Sequence, residues 1–185
     1  MNILVIRHGE TIENAQGIVQ GQLPGRLSEK GIKQAKKAAR ELATKNFDYI
    51  YCSDLQRCVD TLGILIKEIK DIPVRYTEEL REISFGVYQG MYANDLPDWK
   101  TLEGGFYTRR PPEGETINQF RQRTINYMNE LFNQHKNDEL LIVTHGGNIR
   151  VIRSVLEALD LWELYQAKPD NCSIWKFEIT EELHI

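Results

Sequence analysis

Cysteine is scarce in this chain of 185 residues, with three in all, at Cys52, Cys58 and Cys172. An odd number without a CxxC pair suggests neither a disulfide framework nor a zinc site, so no metal is expected, and a reducing, cytoplasmic compartment is the expected setting. Long apolar runs are missing too. None approaches the length of a membrane span, and Arg7 cuts short the apolar start of the chain, so neither a membrane segment nor a secretory signal is expected. Charge of one sign is not in excess. Lys and Arg number 23 against 27 Asp and Glu, and the net charge of −4 argues against a nucleic-acid or acidic-membrane partner. Internal repeats and low-complexity tracts are also lacking.

What is present is an ordinary globular composition, 41% hydrophobic and 27% charged, over a length that suits one domain spanning residues 1–185. Strands and helices alternate along it. "ILVI" from Ile3 reads as a buried strand, followed by a loop from Gly9 to Leu27. Ser28 is a plausible N-cap for a helix whose apolar face carries Ile32, Ala35, Ala39, Leu42 and Ala43. "YIYC" from Tyr49 is a short strand. Ser53 or Asp54 could cap the helix after it, with Leu55, Cys58, Leu62, Leu65, Ile66 and Ile69 at helical spacing. Pro73 to Tyr76 suggests a strand and Ile117 to Gln134 a helix. "ELLIVT" from Glu139 is the strongest strand. A helix with Ile149, Ile152, Val155, Leu156 and Leu159 on one side follows, and "SIWKFEI" closes the pattern. The expected fold is an α/β three-layer sandwich with a mainly parallel sheet flanked by helices. Residues from about 80 to 115 are irregular and read as an insertion over the sheet's edge.

The strand ends carry the chemistry. The first strand ends in Arg7-His8-Gly9 and the strongest in Thr144-His145-Gly146. The second ends near Ser53, with Arg57 in the first turn of the next helix. Ligands of open α/β sheets bind beyond the carboxyl ends of the strands. Two histidines and two arginines therefore gather where one small anion could be held, with helix N-termini adding N–H donors. Glycine after each histidine allows close backbone approach. Taken singly, each of these positions reads as a capping or surface residue. Together they point to a phosphate-binding nucleophile held at a strand tip. His135, next to Lys136-Asn137-Asp138, reads as a solvated residue after a helix, and His184 as tail.

The ordered set "RHGET" with Asn14, "QGQ" at Gln20 to Gln22, "LSEKG", "SDLQR" with Thr61, "LREISFG", "PPEGET" and "VTHGG" resembles the histidine phosphatase superfamily, or phosphoglycerate mutase-like family, over nearly the whole chain. The resemblance implies the phosphoglycerate mutase-like fold and a metal-independent phosphomonoesterase without a cofactor. It implies His8 as the nucleophile that becomes phosphohistidine, Arg7, Arg57 and His145 as the rest of the phosphate pocket, and Glu82 as the proton donor. The residues alone leave Glu78, Glu79 and Glu82 equal; the family pattern selects Glu82. Asn14, Gln20, Gly21 and the backbone of Gly146 become candidate phosphate or substrate contacts. Glu10 and Thr11 are expected to stabilise the loop. Ser53 is a helix cap or a pocket contact, and Glu115 a charge at a helix N-terminus.

Within the family two classes compete, a phosphatase of small phosphorylated metabolites and a phosphoglycerate mutase. Mutases carry Glu-Arg-His-Tyr-Gly around the donor, whereas this chain has Glu82-Ile83-Ser84-Phe85-Gly86. It also has Ile18 and Gln22 where mutases have an arginine and an aromatic residue. Both differences favour the phosphatase. Arg26 stands where small phosphatases often have proline. The stretch from Met91 to Arg110 should set specificity, with Tyr92, Trp99, Phe106 and Tyr107 as walls. Arg109 and Arg110 are either solvated or contacts to a second anionic group. The expected partner is a small phosphate ester, with homodimerisation left open.

Overall fold

A computed structural model describes residues 1–69, 71–97, 102–167 and 169–185. Five strands form one sheet: β1 (Asn2–Arg7), β2 (Tyr49–Ser53), β3 (Val74–Thr77), β4 (Glu139–Thr144) and β5 (Ile174–Glu178). Their spatial order is β3-β2-β4-β1-β5. All neighbours are parallel except β5, which runs antiparallel to β1 at one edge.

Among the described residues six α-helices accompany the sheet: α1 (Ile12–Gln16), α2 (Glu29–Leu42), α3 (Gln56–Leu65), α4 (Ile117–Gln134), α5 (Gly146–Leu156) and α6 (Leu161–Gln166). The period-two alternation of the strands divides the core. Leu140 and Ile142 of β4 join Ile3 and Val5 under α4 and α5, while Leu141 and Val143 join Ile6, Ile50 and Cys52 under α2 and α3. These are the three layers expected. Among the described residues no helix is long and apolar enough to cross a membrane.

Some local expectations change. The loop after β1 contains helix α1, because Thr11 and Asn14 form a reciprocal capping box and Gly17 ends the turn in the left-handed region at φ 73°. Leu55, rather than Ser53 or Asp54, is the N-cap of α3, without a side-chain cap. Ile32, Ile66 and Leu159 are exposed, and so is Ala43, which lies past the end of α2. Buried Gly31 and Ala38 take up the core face of α2 instead. His135 is the largest correction. Far from being solvated, it is buried, with Tyr51 Oη 2.6 Å from Nε2 and Asp138 Oδ2 2.7 Å from Nδ1. Asp138 is a near neighbour in the chain, but Tyr51 stands on β2, 84 residues away, so the local sequence gives no hint of the burial.

Parallel register sets the strand tips side by side. Arg7 pairs with Thr144, and Cys52 with Val143, so β1, β4 and β2 end at one level. His8, His145 and Ser53 therefore emerge together at the carboxyl edge of the sheet.

Candidate active site

His8 and His145 follow their strands directly, and the His8 N–H donates to the Thr144 carbonyl (3.0 Å). Their ring centroids are 5.2 Å apart. The Gly9 carbonyl can only accept, so His8 Nδ1 carries the proton between them (2.8 Å) and the ring's lone pair lies on Nε2. Gly9 is required by packing. A Cβ there would stand 2.8 Å from the Gly31 carbonyl oxygen, where α2 begins.

Arg7, His8, Arg57 and Glu82 line one cavity of about 320 Å³, joined by Asn14, Gln20, Gly21 and Gly146. The sequence-derived set thus converges, except that His145 sits behind the wall. It is fully buried, with Ser53 Oγ 2.8 Å and Cys58 Sγ 3.4 Å from Nε2. Burial, reinforced by Arg57, His8 and Arg7, holds its pKa well below the ordinary imidazole value, which favours the neutral ring. The Cys58 thiol is pushed up to about 12, mainly by burial, and stays protonated.

The two arginines are buried cations with unmet demands. Arg57 donates to the carbonyls of Leu23 (2.8 Å) and Gly21 (2.7 Å), and Arg7 to the carbonyl of Pro169. Nε of each is buried without a hydrogen-bond partner. Burial lowers both pKa values, opposed by Glu82 and, for Arg57, first by Cys58. Two desolvated guanidinium groups with spare donors beside a cavity are chemically suited to hold an anion.

Glu82 faces them from the loop after β3. Its Oε2 accepts from the Gly147 N–H (3.2 Å) and its Oε1 from the Ile83 N–H (3.1 Å). A Cβ on Gly147 would stand 2.0 Å from Glu82 Oε1, so a glycine is needed there for the carboxyl to lie over the start of α5. Glu78 and Glu79 are exposed and outside the cavity.

Secondary positions divide. Gln20 is buried, with Oε1 unpartnered. Asn14 serves the α1 cap and lies 3.5 Å from Asn171 Nδ2, which also donates to the His8 carbonyl (3.0 Å). Glu10 accepts from Lys30 Nζ (2.7 Å) and Ser28 Oγ (2.9 Å), and so stabilises the loop. Glu115 does more than charge a helix end, since it accepts from the Ser84 N–H (2.7 Å) and from Arg123. Arg109 and Arg110 donate to the carbonyls of Leu102 (3.1 Å) and Gly114 (2.8 Å) and do not line the cavity. Phe106 packs on Tyr107, Trp162 and Tyr165 rather than forming a wall, and Tyr92 is exposed. Trp99 lies outside the described residues. Arg26 is exposed, and its backbone N–H donates to Glu13 Oε2 (3.3 Å), a bond that a proline there could not make.

Two polar wall residues, Arg150 and Tyr165, carry no motif. Arg150 lies one helical turn beyond Gly146, a spacing that places it on the same face. Tyr165, on α6, has no comparable signal; the Arg150 guanidinium stacks on its ring at 4.9 Å. Among the described residues no group of three or more His, Cys, Asp and Glu side chains is arranged to hold a metal.

The profile of the histidine phosphatase superfamily (branch 1) matches residues 3–184. The chain belongs to that superfamily. A metal-independent phosphoserine phosphatase of Arabidopsis thaliana is 32% identical over 157 residues, covering 81% of this chain and 66% of that protein. The adenosylcobalamin/alpha-ribazole phosphatase of Salmonella typhimurium is 30% identical over 177 residues, covering 88% of this chain and 84% of that protein. In structure, the alpha-ribazole phosphatase of Shigella flexneri superposes with a TM-score of 0.87 at 25% identity, covering 98% of this chain and 92% of that one. As a member of this superfamily, the chain is a hydrolase of phosphomonoesters.

Proposed function

We propose that the enzyme hydrolyses small phosphorylated metabolites through a phosphohistidine at His8, with no metal. The observation that carries this reading is the pair of buried, under-partnered guanidinium groups beside a histidine whose lone pair is fixed on Nε2. Arg7 and Arg57 receive the phosphoryl oxygens in place of the missing partners. His8 Nε2 attacks phosphorus as the ester P–O bond breaks, and Glu82 gives its proton to the leaving oxygen. Glu82 then takes a proton from water, the oxygen attacks phosphorus, and the P–N bond breaks to release phosphate. His145, neutral in the empty site, gains a reason to hold a proton once an anion arrives, which adds positive charge where the transition state needs it. Asn14, Gln20, Gly21 and the N–H of Gly146 are the remaining contacts.

Phosphatase action is favoured over mutase action by Ile18, which lines the cavity with an apolar side chain where a second charged group would need a cation. The test is rapid quenching with a ³²P-labelled alkyl phosphate. Acid-labile label on His8 is expected, at a rate matching turnover. Label on Ser53, or none within the first turnover, overturns the assignment.

A further inference from the structure

Glu82 reaches the cavity from an irregular loop, and an acid on a loose loop would protonate poorly. The loop is not loose. Arg123, on α4, donates Nε and Nη2 to the two Glu115 oxygens, at 3.0 Å each. Its Nη1 donates to the carbonyls of Glu79 (2.8 Å) and Arg81 (3.0 Å), and its Nη2 approaches the Glu82 carbonyl at 3.4 Å. Glu115 in turn accepts from the Ser84 N–H at 2.7 Å, and its own N–H donates to the Ser84 carbonyl at 2.9 Å. Gln22 adds a donor to the Glu82 carbonyl (3.1 Å) from the loop that also carries Gly21. The backbone is thus held on both sides of Glu82. The Arg123 guanidinium also lies over the Phe120 ring at 5.2 Å. Phe120 is the same ring that a Cβ on Gly147 would meet at 2.9 Å, so one packed unit supports both the loop and the donor that Glu82 uses.

We propose that Glu115 and Arg123 are positioning residues for the proton donor: an ion pair outside the cavity that fixes where the Glu82 carboxyl stands. The proposal rests on Glu82 acting as the acid. Six hydrogen bonds converge on residues 79–84, and side-chain exposures of 18% for Arg123 and 22% for Glu115 keep the pair out of bulk water. A solvated ion pair contributes little to geometry, whereas a half-buried fork with the chain threaded through it restricts the backbone. Arginine is specifically suited, because a lysine cannot reach a carboxylate and several carbonyls at once.

The experiment compares kcat/KM for an alkyl phosphate and for 4-nitrophenyl phosphate, whose leaving group needs little protonation. Variants are Glu82→Gln, Arg123→Gln, Arg123→Lys, Glu115→Gln and the double Glu82→Gln/Arg123→Gln, each checked by its thermal midpoint. Displacement of a reacting group by about 1 Å costs about 10²-fold. Arg123→Gln should therefore lose about 10²-fold on the alkyl ester and at least tenfold less on the aryl ester, with Arg123→Lys giving back little. In the double variant the alkyl-to-aryl ratio should equal that of Glu82→Gln alone, because the clamp acts only through that carboxyl. Equal losses on both esters in a folded Arg123→Gln, or a ratio that worsens further in the double variant, overturn the proposal. If Arg123→Gln does not fold, Glu115→Gln is read the same way and decides it. Equal losses on both esters in Glu82→Gln would instead sink the acid role itself, which separates the two failures.

Discussion

Two buried histidine clusters lie at opposite ends of β4, and their difference separates function from support. At the amino end, His135 stands between Tyr51 and Asp138, at 2.6 and 2.7 Å, and packs against Tyr49 in a tilted contact with ring centroids 4.6 Å apart. Both of its ring nitrogens are engaged. At the carboxyl end, His8 and His145 share their surroundings with two buried guanidinium groups whose Nε atoms have no partner. A satisfied polar network has no further need of a ligand, and its net contribution is to stability. Buried cations left short of acceptors cost stability, and an anion bound beside them would offset that cost. Histidine and burial are common to both ends; what marks the site is the unmet hydrogen-bonding capacity around it.

Exchanging the roles of the two ends would break this comparison. The largest expected effect is on turnover. His8→Ala should abolish it, by about 10⁴-fold or more, since the proposed nucleophile is lost, while the thermal midpoint moves little. His135→Ala should do the reverse. It leaves Tyr51 without its partner and opens a hole beside Tyr49, costing about 2–4 kcal/mol in denaturant unfolding with kcat/KM near wild type. An active His8→Ala enzyme, or a His135→Ala enzyme that is stable but inactive, would overturn the division.

Arg57 gives a second, smaller test. Orthovanadate, at about a hundred times its Kd, should stabilise the wild type by about 2.7 kcal/mol through binding to the folded state alone. Arg57→Met should lose most of that gain, and kcat/KM should fall by about 10²–10³-fold, the scale of losing one preorganised charge contact. Stabilisation by vanadate that persists in Arg57→Met would mean that the buried guanidinium is not an anion donor.

How much of this could be read in the sequence depends on how local each cause is. The strand-tip residues Arg7, His8, Thr144 and His145 were legible, because apolar strands announce their own ends and parallel sheets align them. Arg57 was legible as a first-turn residue of the helix after β2. Glu82 was not separable from Glu78 and Glu79 without the family resemblance. Its distinguishing causes, the missing Cβ of Gly147 and the clamp from Arg123, are 65 and 41 residues away. His135 was misread for the same reason: Tyr51 is 84 residues distant. The α1 helix hid inside a stretch rich in glycine and polar residues, although its capping pair is only three residues apart. Periodicity overreached where Ile32, Ile66 and Leu159 kept the helical spacing at positions that the ends of their helices leave in water.

The smallest expected effect tests the neutral state of His145, and its sign follows from burial. In the unfolded chain this histidine titrates near its ordinary value of about 6.5. In the folded, anion-free protein, burial first, and then Arg57, His8 and Arg7, hold its pKa well below that. Between the two values the unfolded state binds a proton that the folded state refuses. Stability from this group is therefore fully present above about pH 6.5 and declines as pH falls below it, by at most about 1.4 kcal/mol per pH unit. Denaturant unfolding between pH 7.5 and 5 should show that decline, and His145→Gln, which cannot titrate, should flatten it. Vanadate should flatten it as well, because an anion beside the imidazole favours its protonated form and narrows the gap. At the other end of β4, His135→Gln should leave the His145 contribution to the slope in place. A slope unchanged in His145→Gln would show that the acid-sensitive proton belongs elsewhere, and the neutral imidazole would then cease to distinguish the empty site from the filled one.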